Sequence, residues 1–347
     1  MVIINTNIFK RLAVYWIMVY SSIIIFDFSR PDFIRKTIDI LVKEISRSDS
    51  EIILIKSYKD PDIERFLDVN NIEYVDLIEN DKQSDYIKTA CKKASGEIII
   101  FMDDDDVFVP GKIKYVSDLF KEKKNLGYYH NNFDTIDESG NITINRNYRT
   151  PGFQTLYIYS NTKFKFFKKN KNLRLMLKVR PDFNSSSIVV RKSIISEYKE
   201  NYDFNIIRPD SFIFALALIS SMDIMLDNKV LTHYRLYSGN ISTAYNATLD
   251  KTRDKFMEAF SSGISMFDII QAMMNDSAYA NYVELRIINL KLAYNFWSLS
   301  RMYKVGLHGK ILILRIDLIH ELGYLVISIM PAFVKLTAMK IFYHAKQ

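Results

Sequence analysis

Short apolar runs and amphipathic stretches alternate over the first third of the chain. Four runs of five or six residues have the length of buried strands, and they lie at residues 22–26, 51–55, 73–78 and 98–102. The stretches between them carry apolar residues at helical spacing, as Ile34, Ile38 and Leu41 do, and these stretches predict helices. Alternating strands and helices of this kind predict an α/β fold with a largely parallel sheet and helices on both faces.

The rest of the chain predicts elements of mixed kind, followed by a helical region. The predicted middle elements are helices at 112–124 and 212–219, and strands at 128–132, 141–145, 184–191 and the start of 229–242. The predicted late helices lie at 251–274, 279–303, 310–322 and 323–343. We therefore expect a leader at 1–20, an α/β domain at 21–247 that divides near residue 110, and a helical C-terminal module at 248–347.

Two apolar stretches near the ends of the chain are too short to predict a membrane span. The run from Leu12 to Ile25 falls below the ~20 residues that a spanning helix needs, and we interpret it as leader plus first strand. The run from Tyr324 to Val334 contains Pro331 and is followed by Lys335. Core packing and attachment to a membrane surface both stay open for it.

The strand predicted at 98–102 leads directly into four consecutive carboxylates, Asp103 to Asp106. Adjacent carboxylates at the end of a buried strand repel one another and raise each other's pKa, and a divalent cation relieves that repulsion. In open α/β sheets, ligands bind beyond the carboxyl ends of the strands. The pattern therefore predicts a metal site at the mouth of a crevice, and an acidic turn that only aids solubility is the alternative.

The segment from Gly96 to Pro110 resembles the DxD segment of family-2-type glycosyltransferases of the GT-A fold. The segment from Ser29 to Ile38 and the strand at 51–54 resemble the same family, and the likeness covers about residues 20–245. The resemblance implies a GT-A-like fold and a hexosyl-type transfer, by an inverting mechanism, from a nucleotide-sugar donor to a hydroxyl acceptor. The resemblance leaves three acceptor classes open, namely glycans, proteins and lipid-linked molecules, and two donor types, UDP and GDP.

The resemblance also assigns roles to the four aspartates. Asp105, helped by Asp103, is expected to hold Mg²⁺ or Mn²⁺ against the donor diphosphate. Asp103 and Asp104 are further expected to contact the donor, and Asp104 and Asp106 to fix ribose, donor sugar or strand geometry.

Lys56 and Tyr237 are among the positions that depart from the family pattern, and Arg235 lies in a segment that follows it. Lys56 stands where the family has an aspartate pair that reads the nucleotide base, and we assign Lys56 a donor contact. The segment from Thr232 to Ser242 resembles the family's closing strand and loop, so Arg235 is assigned to donor binding. Tyr237 replaces a histidine there, and His233 is a candidate for its role, although a histidine on a strand is more often structural.

Asp210 occupies the second position of a Glu-Asp pair that supplies the catalytic base in the family, and Pro209 replaces the glutamate. The resemblance assigns the base to Asp210. The alternative is an ordinary helix cap, a role that aspartate performs well.

The chain carries a formal net charge of +7 at 48% hydrophobic residues, so we expect a folded protein with an anionic partner. No acidic residue occurs from Ser139 to Pro181, and Lys163 to Arg180 interleaves basic with apolar side chains. This basic segment is either a solvated surface or a contact for the acceptor or a membrane surface. No nucleic-acid motif accompanies the charge, which argues against a nucleic-acid partner.

Together these patterns predict a metal-dependent glycosyltransferase. The single cysteine, Cys91, fits a reducing compartment, so we expect a cytoplasmic enzyme that works at the cytoplasmic face of a membrane. A catalytically impaired relative that acts as a binding or membrane-surface protein is the alternative, and it is favoured by the changes at Lys56 and Tyr237.

Overall fold

Four parallel strands form the first part of the sheet. Their spatial order is β3–β2–β1–β4, with β1 at Ser21–Asp27, β2 at Ser50–Lys56, β3 at Glu73–Asp76 and β4 at Ile98–Asp103. The connecting helices are α1 at Pro31–Ile45, α2 at Pro61–Val69 and α3 at Gln83–Lys93. The structure is a computed structural model, and it describes residues 19–45, 49–56, 58–77, 83–143, 153–197, 209–237, 249–273, 279–297 and 335.

The second part of the sheet mixes directions. Its strands are β5 at Val107–Phe108, β6 at Leu126–Ile136, β7 at Ile142–Thr143, β8 at Leu156–Ile158, β9 at Ile188–Arg191 and β10 at Asp223–Arg235. The order continues β4–β9–β6–β10–β5, in which β9 is antiparallel to both neighbours and the longest pairing, β6 with β10, is parallel. The result is the mostly parallel sheet that the alternating pattern predicts.

The two faces of the sheet carry separate halves of the core, because successive side chains of a strand point to opposite faces. On β1, Ile24 and Phe26 belong to one buried cluster, while Ile23 and Ile25 belong to the other. The second cluster is covered by α1, α2 and α4 (Lys112–Glu122). The first is covered by α3, α6 (Asn170–Val179) and α8 (Pro209–Ile219).

Gly96 has a different function from the helix stop that the sequence suggests. α3 ends before it, at Lys93, and a Cβ on Gly96 would lie 2.7 Å from the backbone nitrogen of Ser22. The Gly96 amide instead donates to Ser22 Oγ at 2.9 Å. Glycine is therefore required here so that the chain can approach β1 closely before it enters β4.

The basic segment forms two helices, α5 (Ser160–Phe167) and α6, which the sequence pattern missed. Their interleaved apolar residues are the buried faces of amphipathic helices, as Phe167, Leu173 and Met176 show. One basic residue lies on the buried side. Lys163 is only 1% exposed, and its Nζ donates to the carbonyl oxygens of Ala217 and Ser220, both at 2.9 Å.

The described part of the helical region packs on the same core as the sheet. α9 (Leu249–Met273) contributes Phe267 and Ile270, and α10 (Ala280–Trp297) contributes Tyr282 and Val283, to the cluster that α8 covers. A short helix α7 (Lys192–Ser196) completes the set of elements named here. Residues 1–18 of the leader predicted at 1–20, and the helices predicted at 310–322 and 323–343, lie outside the described residues, apart from residue 335.

No helix in the described ranges is both long enough and apolar enough to cross a membrane. Several element bounds also differ from the predicted ones. β6 and β10 extend well beyond the predicted runs because their polar residues, such as Asn131 and Asp227, find hydrogen-bond partners inside the sheet region. Apolar periodicity could not reveal those positions.

Candidate active site

The four aspartates lie together at the carboxyl ends of β1 and β4. β4 ends at Asp103, and the chain then turns sharply through Asp104 and Asp105. The turn is tied to β1 because the Asp104 amide donates to the carbonyl oxygen of Phe26 at 3.2 Å. Asp104, Asp105 and Asp106 are buried, so the acidic run is folded inward rather than exposed.

Asp103 is held by a 3₁₀ turn at Ser185–Ser187. The hydroxyl of Ser185 donates to Asp103 Oδ1 at 2.8 Å, and the Asp103 amide donates to the hydroxyl of Ser186 at 3.0 Å. Burial and the nearby Asp105 carboxylate raise the pKa of Asp103 to about 7. The two predicted metal ligands are therefore close enough for their charges to interact strongly.

Arg30 contacts the acidic cluster, although the sequence pattern did not single it out. Its guanidinium contacts Asp104 Oδ1 at 2.7 Å and Asp105 Oδ2 at 2.5 Å. Burial raises the pKa of Asp104 to about 9, although Arg30 lowers it. Arg30 precedes α1 at the end of the first βα connection, and that position beside the strand mouth was the available signal.

Asp106, like Asp104, is fully buried in the cluster. The Arg235 amide donates to Asp106 Oδ1 at 3.0 Å, and the Ser186 side chain also interacts with this carboxylate. Burial and the Asp105 and Asp103 carboxylates raise the pKa of Asp106 well above its usual range. Below it, the buried ammonium of Lys112 donates to the carbonyl oxygen of Ser186 at 2.5 Å.

Arg235, predicted to bind the donor, holds the acidic turn in place from the end of β10. Its Nε donates to the carbonyl oxygen of Asp105 at 2.7 Å, and Nη1 donates to the carbonyl oxygens of Asp137 and Glu138 at 2.9 and 2.8 Å. Tyr237 follows, and its hydroxyl bonds the Asp105 side chain. Tyr237 therefore reaches the acidic cluster from the position where a histidine was expected.

Lys56, also predicted to contact the donor, is fully buried at the end of β2. Its ammonium contacts Glu64 at 2.8 Å, donates to the carbonyl oxygen of Tyr58 at 2.9 Å and also contacts Asp76. An ammonium has three hydrogen atoms to donate, and these three partners account for them. In this arrangement Lys56 shapes the crevice wall and has no donor left for a ligand.

A hydrogen bond joins Tyr58 to Asp27 near the acidic cluster, and the sequence pattern did not predict it. Asp27 is buried as the last residue of β1, where it lies beside Lys56 in the parallel pairing. The hydroxyl of Tyr58 and the amide of Ser29 both donate to its carboxylate, the amide at 3.0 Å. A carboxylate that ends a buried strand at this edge was the signal that could have identified Asp27.

Asp210 lies in the first turn of α8, and its Oδ1 accepts a hydrogen bond from the Ser211 amide at 2.8 Å. It is partly exposed, and it is near enough to Asp103 that its charge contributes to the raised pKa of Asp103. The structure thus brings the predicted base and a predicted metal ligand to one site, although they are far apart in sequence. His233 lies further back on β10, opposite Val107, and its Nδ1 has no partner in the described part of the chain.

The cluster has an excess of carboxylate oxygens over donors, which suits a hard cation. In the ranges that the structure describes, no group of three or more His, Cys, Asp or Glu side chains is arranged to hold a metal ion. A group of three is not required for Mg²⁺, because proteins usually hold this ion with one or two carboxylates together with substrate phosphates. Asp103 and Asp105 lie near enough for their charges to interact, and the buried Asp106 carboxylate adds to the negative charge beside them.

This mixed α/β sheet, with acidic residues at the carboxyl edge and a helical region packed on one face, is the architecture of a GT-A glycosyltransferase. The family model described as "Glycosyl transferase family 2" matches residues 22–198, which is just over half of the chain. The chain belongs to this family.

Solved structures of TarS from S. aureus, residues 1–349, share the fold. One has a TM-score of 0.54 at 12% identity and covers 85% of this chain and 78% of that chain. A complex with UDP has a TM-score of 0.52 at 12% identity, with 94% and 92% covered. A complex with UDP-GlcNAc has a TM-score of 0.51 at 11% identity, with 85% and 79% covered. No curated protein sequence matches this chain.

Proposed function

We propose that the protein moves a hexosyl group from a nucleotide-diphosphate donor to a hydroxyl acceptor, with inversion at the anomeric carbon. The observation that carries the proposal is the group of buried carboxylates at the end of β4, with Asp210, at the start of α8, near enough to Asp103 for their charges to interact. Family membership supports glycosyl transfer as the reaction class. The TarS complexes with UDP and UDP-GlcNAc, which share the fold, support a uridine-type donor.

Asp103 and Asp105 would hold a divalent cation, Mg²⁺ or Mn²⁺, at the end of β4. When bound, such a cation offsets the negative charge that develops on a departing diphosphate. The residues around it keep the two carboxylates in place: Ser185 fixes Asp103, and Arg235 fixes the backbone at Asp105. Arg30 adds a positive charge beside the same carboxylates, where it can also contact donor phosphates.

Asp210 would accept the proton of the acceptor hydroxyl as that oxygen attacks the donor sugar. General-base catalysis of this kind contributes typically about 10²- to 10⁴-fold in rate. The partial exposure of Asp210 at the start of α8 leaves it accessible to an acceptor, while Asp103 marks the donor side. Inversion follows because a base on the acceptor side supports direct displacement at the sugar carbon.

A nucleotide-sugar screen tests the proposed function. We expect UDP-sugars or GDP-sugars to raise the melting temperature in the presence of Mn²⁺ or Mg²⁺, because a ligand that binds only the folded state stabilises it. The same sugars with chelator present are the matched control. No stabilisation by any nucleotide sugar with either cation would overturn the proposal.

A catalytically impaired relative is the second candidate. Two observations favour it: Lys56 has its donors occupied in the crevice wall, and Tyr237 stands at a histidine position. The two candidates differ in product formation. A protein that binds a nucleotide sugar with metal but releases no nucleotide, with or without acceptors, would be the impaired relative.

We further propose that the basic face of α5 and α6 holds the enzyme at the cytoplasmic surface of a membrane, near a lipid-linked acceptor. The face is defined by its exposed residues, which are Phe164, Lys165, Lys168, Lys169, Lys171 and Lys178. Phe164 is 42% exposed, and Lys168 Nζ lies 4.0 Å from its ring. An aromatic side chain among lysines suits an anionic lipid surface, where each basic residue contributes on the order of 1 kcal/mol.

Co-sedimentation with phosphatidylserine vesicles tests this location. We expect the wild-type protein to pellet at low salt and a variant with Lys165, Lys168 and Lys169 changed to Glu to stay in solution. Lys163 is left unchanged because it is buried. If the wild-type protein stays in the supernatant, or both proteins pellet equally, the face does not bind lipid.

A further inference from the structure

A buried ion pair joins the helical region to the candidate active site. Arg286 on α10 contacts Asp182 Oδ2 at 2.7 Å, and the two side chains are 14% and 1% exposed. Asp182 follows α6, whereas Arg286 lies about a hundred residues later on a helix beyond the sheet. The contact therefore links two distant parts of the chain at one buried point.

The loop that carries Asp182 lies between α8, which carries Asp210, and the end of β4, which carries Asp103. The hydroxyl of Ser211 donates to the Asp182 carbonyl oxygen at 3.1 Å and lies 3.4 Å from Oδ2. Ser211 directly follows Asp210 in the first turn of α8. Three residues after Asp182, Ser185 donates to Asp103. The loop that carries Asp182 thus contacts Ser211, the neighbour of the candidate base, and Asp103, a candidate metal ligand.

The charge on Asp182 depends on Arg286. Burial raises the pKa of Asp182, whereas the Arg286 and Arg180 guanidiniums lower it. The lowering effects are larger together, so the pKa of Asp182 lies below its usual range. The carboxylate is therefore ionised inside the protein. Removing Arg286 would leave that buried charge without its main partner, which destabilises a fold more than replacing both members does.

Packing adds to the same connection. The ring of Tyr282, one turn before Arg286 on α10, contacts Phe214 on α8 at a centroid distance of 5.7 Å. The Tyr282 hydroxyl is buried as well, and it interacts with the Asp182 side chain. The ion pair between Arg286 and Asp182 Oδ2, with the Tyr282 interaction beside it, is thus the polar connection between α10 and the loop.

We propose that Arg286 is a positioning residue that acts through Asp182. It fixes the first turn of α8, and with it Asp210, relative to Asp103. The proposal rests on the proposed function, because it takes Asp210 as the base. It makes α10 part of the support of the active site, whereas the sequence pattern predicts a separate helical module.

The test compares Arg286→Met, Arg286→Lys and a matched control, Arg253→Met. Arg253 on α9 also pairs with two aspartates, Asp250 and Asp254, but lies at the surface. We expect Arg286→Met to lower kcat about 10- to 100-fold, because small misplacements of a reacting group are costly, while the donor KM changes less than twofold. Arg286→Lys should restore most of kcat, and Arg253→Met should behave as wild type.

Hydrogen exchange provides a readout that does not depend on catalysis. We expect faster exchange of the amides at 211–214 in Arg286→Met, with no change in Arg253→Met. If Arg286→Met does not fold, the double variant Asp182→Asn, Arg286→Met removes both charges and should fold while keeping the kcat loss and the faster exchange.

Three results would overturn the positioning role: an unchanged kcat, a kcat loss of equal size in Arg253→Met, or unchanged exchange at 211–214. If the wild-type protein transfers no sugar from any donor, the proposed function fails. The exchange experiment would still decide whether Arg286 orders the start of α8.

Discussion

The acidic turn after β4 and the basic helices α5 and α6 are both strongly charged in sequence, yet they fold in opposite ways. The turn buries Asp104, Asp105 and Asp106 with named partners, whereas the helices expose most of their lysines. A helix spreads successive residues around its axis, so charged side chains can turn toward water. In a tight turn at the end of a buried strand, consecutive side chains cannot all turn toward water.

The comparison shows that a run of like charge in the sequence does not reveal whether its side chains are buried or exposed. The backbone conformation decides this. Buried carboxylates require compensation, which Arg30 and Arg235 provide. Exposed lysines require none. The experiments below test each side of this contrast, in order of expected effect.

Asp105→Asn should have the largest effect. We expect metal-dependent donor binding to be lost and kcat to fall about 10³-fold or more, since a bound cation is worth several kcal/mol of transition-state stabilisation. The fold should persist because removing one charge relieves repulsion within the cluster. Calorimetric titration with Mn²⁺ and UDP measures the binding, and the exposed Asp134→Asn is the control. Unchanged Mn²⁺-dependent binding would remove Asp105 from the metal site.

Asp210→Asn should abolish transfer but leave donor binding intact. The expected loss is about 10²- to 10⁴-fold in kcat, the usual contribution of a general base. Asp250→Asn is a matched control, because Asp250 also lies in the first turn of a helix, α9, but at the surface. Full activity of Asp210→Asn, or loss of donor binding with it, would indicate a helix cap instead.

His130 tests the buried side of the contrast through pH. It is 1% exposed, its Nε2 donates to the Phe183 carbonyl oxygen at 2.8 Å, and burial lowers its pKa to about 4. The unfolded chain takes up this proton near pH 6.5, so stability is full above pH 6.5 and falls as the pH drops toward 4. The loss should reach about 3 kcal/mol at pH 4.

Urea unfolding between pH 7 and pH 4 measures this effect. His130→Gln keeps a donor for Phe183 but cannot titrate, so the part of the pH dependence due to His130 should disappear. An identical pH dependence in wild type and variant would mean that His130 does not titrate between the folded and unfolded states.

Lys163 is expected to give the smallest effect, a loss of folding stability, and Lys165 is its matched control. Lys163→Met removes the Lys163 donor from the Ala217 and Ser220 carbonyl oxygens at the end of α8, and Ala217 alone keeps the Ser220 hydroxyl as a donor. We expect a cost of about 1–3 kcal/mol. Lys165→Met changes an exposed residue two positions away and should alter stability by less than about 0.5 kcal/mol. Thermal unfolding of both variants measures the difference, and equal effects would contradict the burial of Lys163.

Local patterns in the sequence were sufficient to predict the α/β alternation and the acidic strand end. The run from Ile98 to Met102 is fully apolar, and the carboxylates that follow it could only lie at the strand mouth. The helices α5 and α6 were missed because their apolar spacing is masked by a high density of lysine. Arg30, Asp27 and Arg286 were missed because their roles depend on contacts far along the chain, with |i−j| of 74 for Arg30 and Asp104.

The sheet order has a consequence for synthesis on the ribosome. β10 lies between β6 and β5, and its Arg235 reaches back 130 residues to the carbonyl of Asp105. At a translation rate of roughly 5–20 residues per second, several seconds or more pass between the synthesis of the acidic turn and that of Arg235. During that interval the nascent chain carries an unclamped acidic loop and an incomplete sheet, so binding by a chaperone would be most useful before residue 235 emerges.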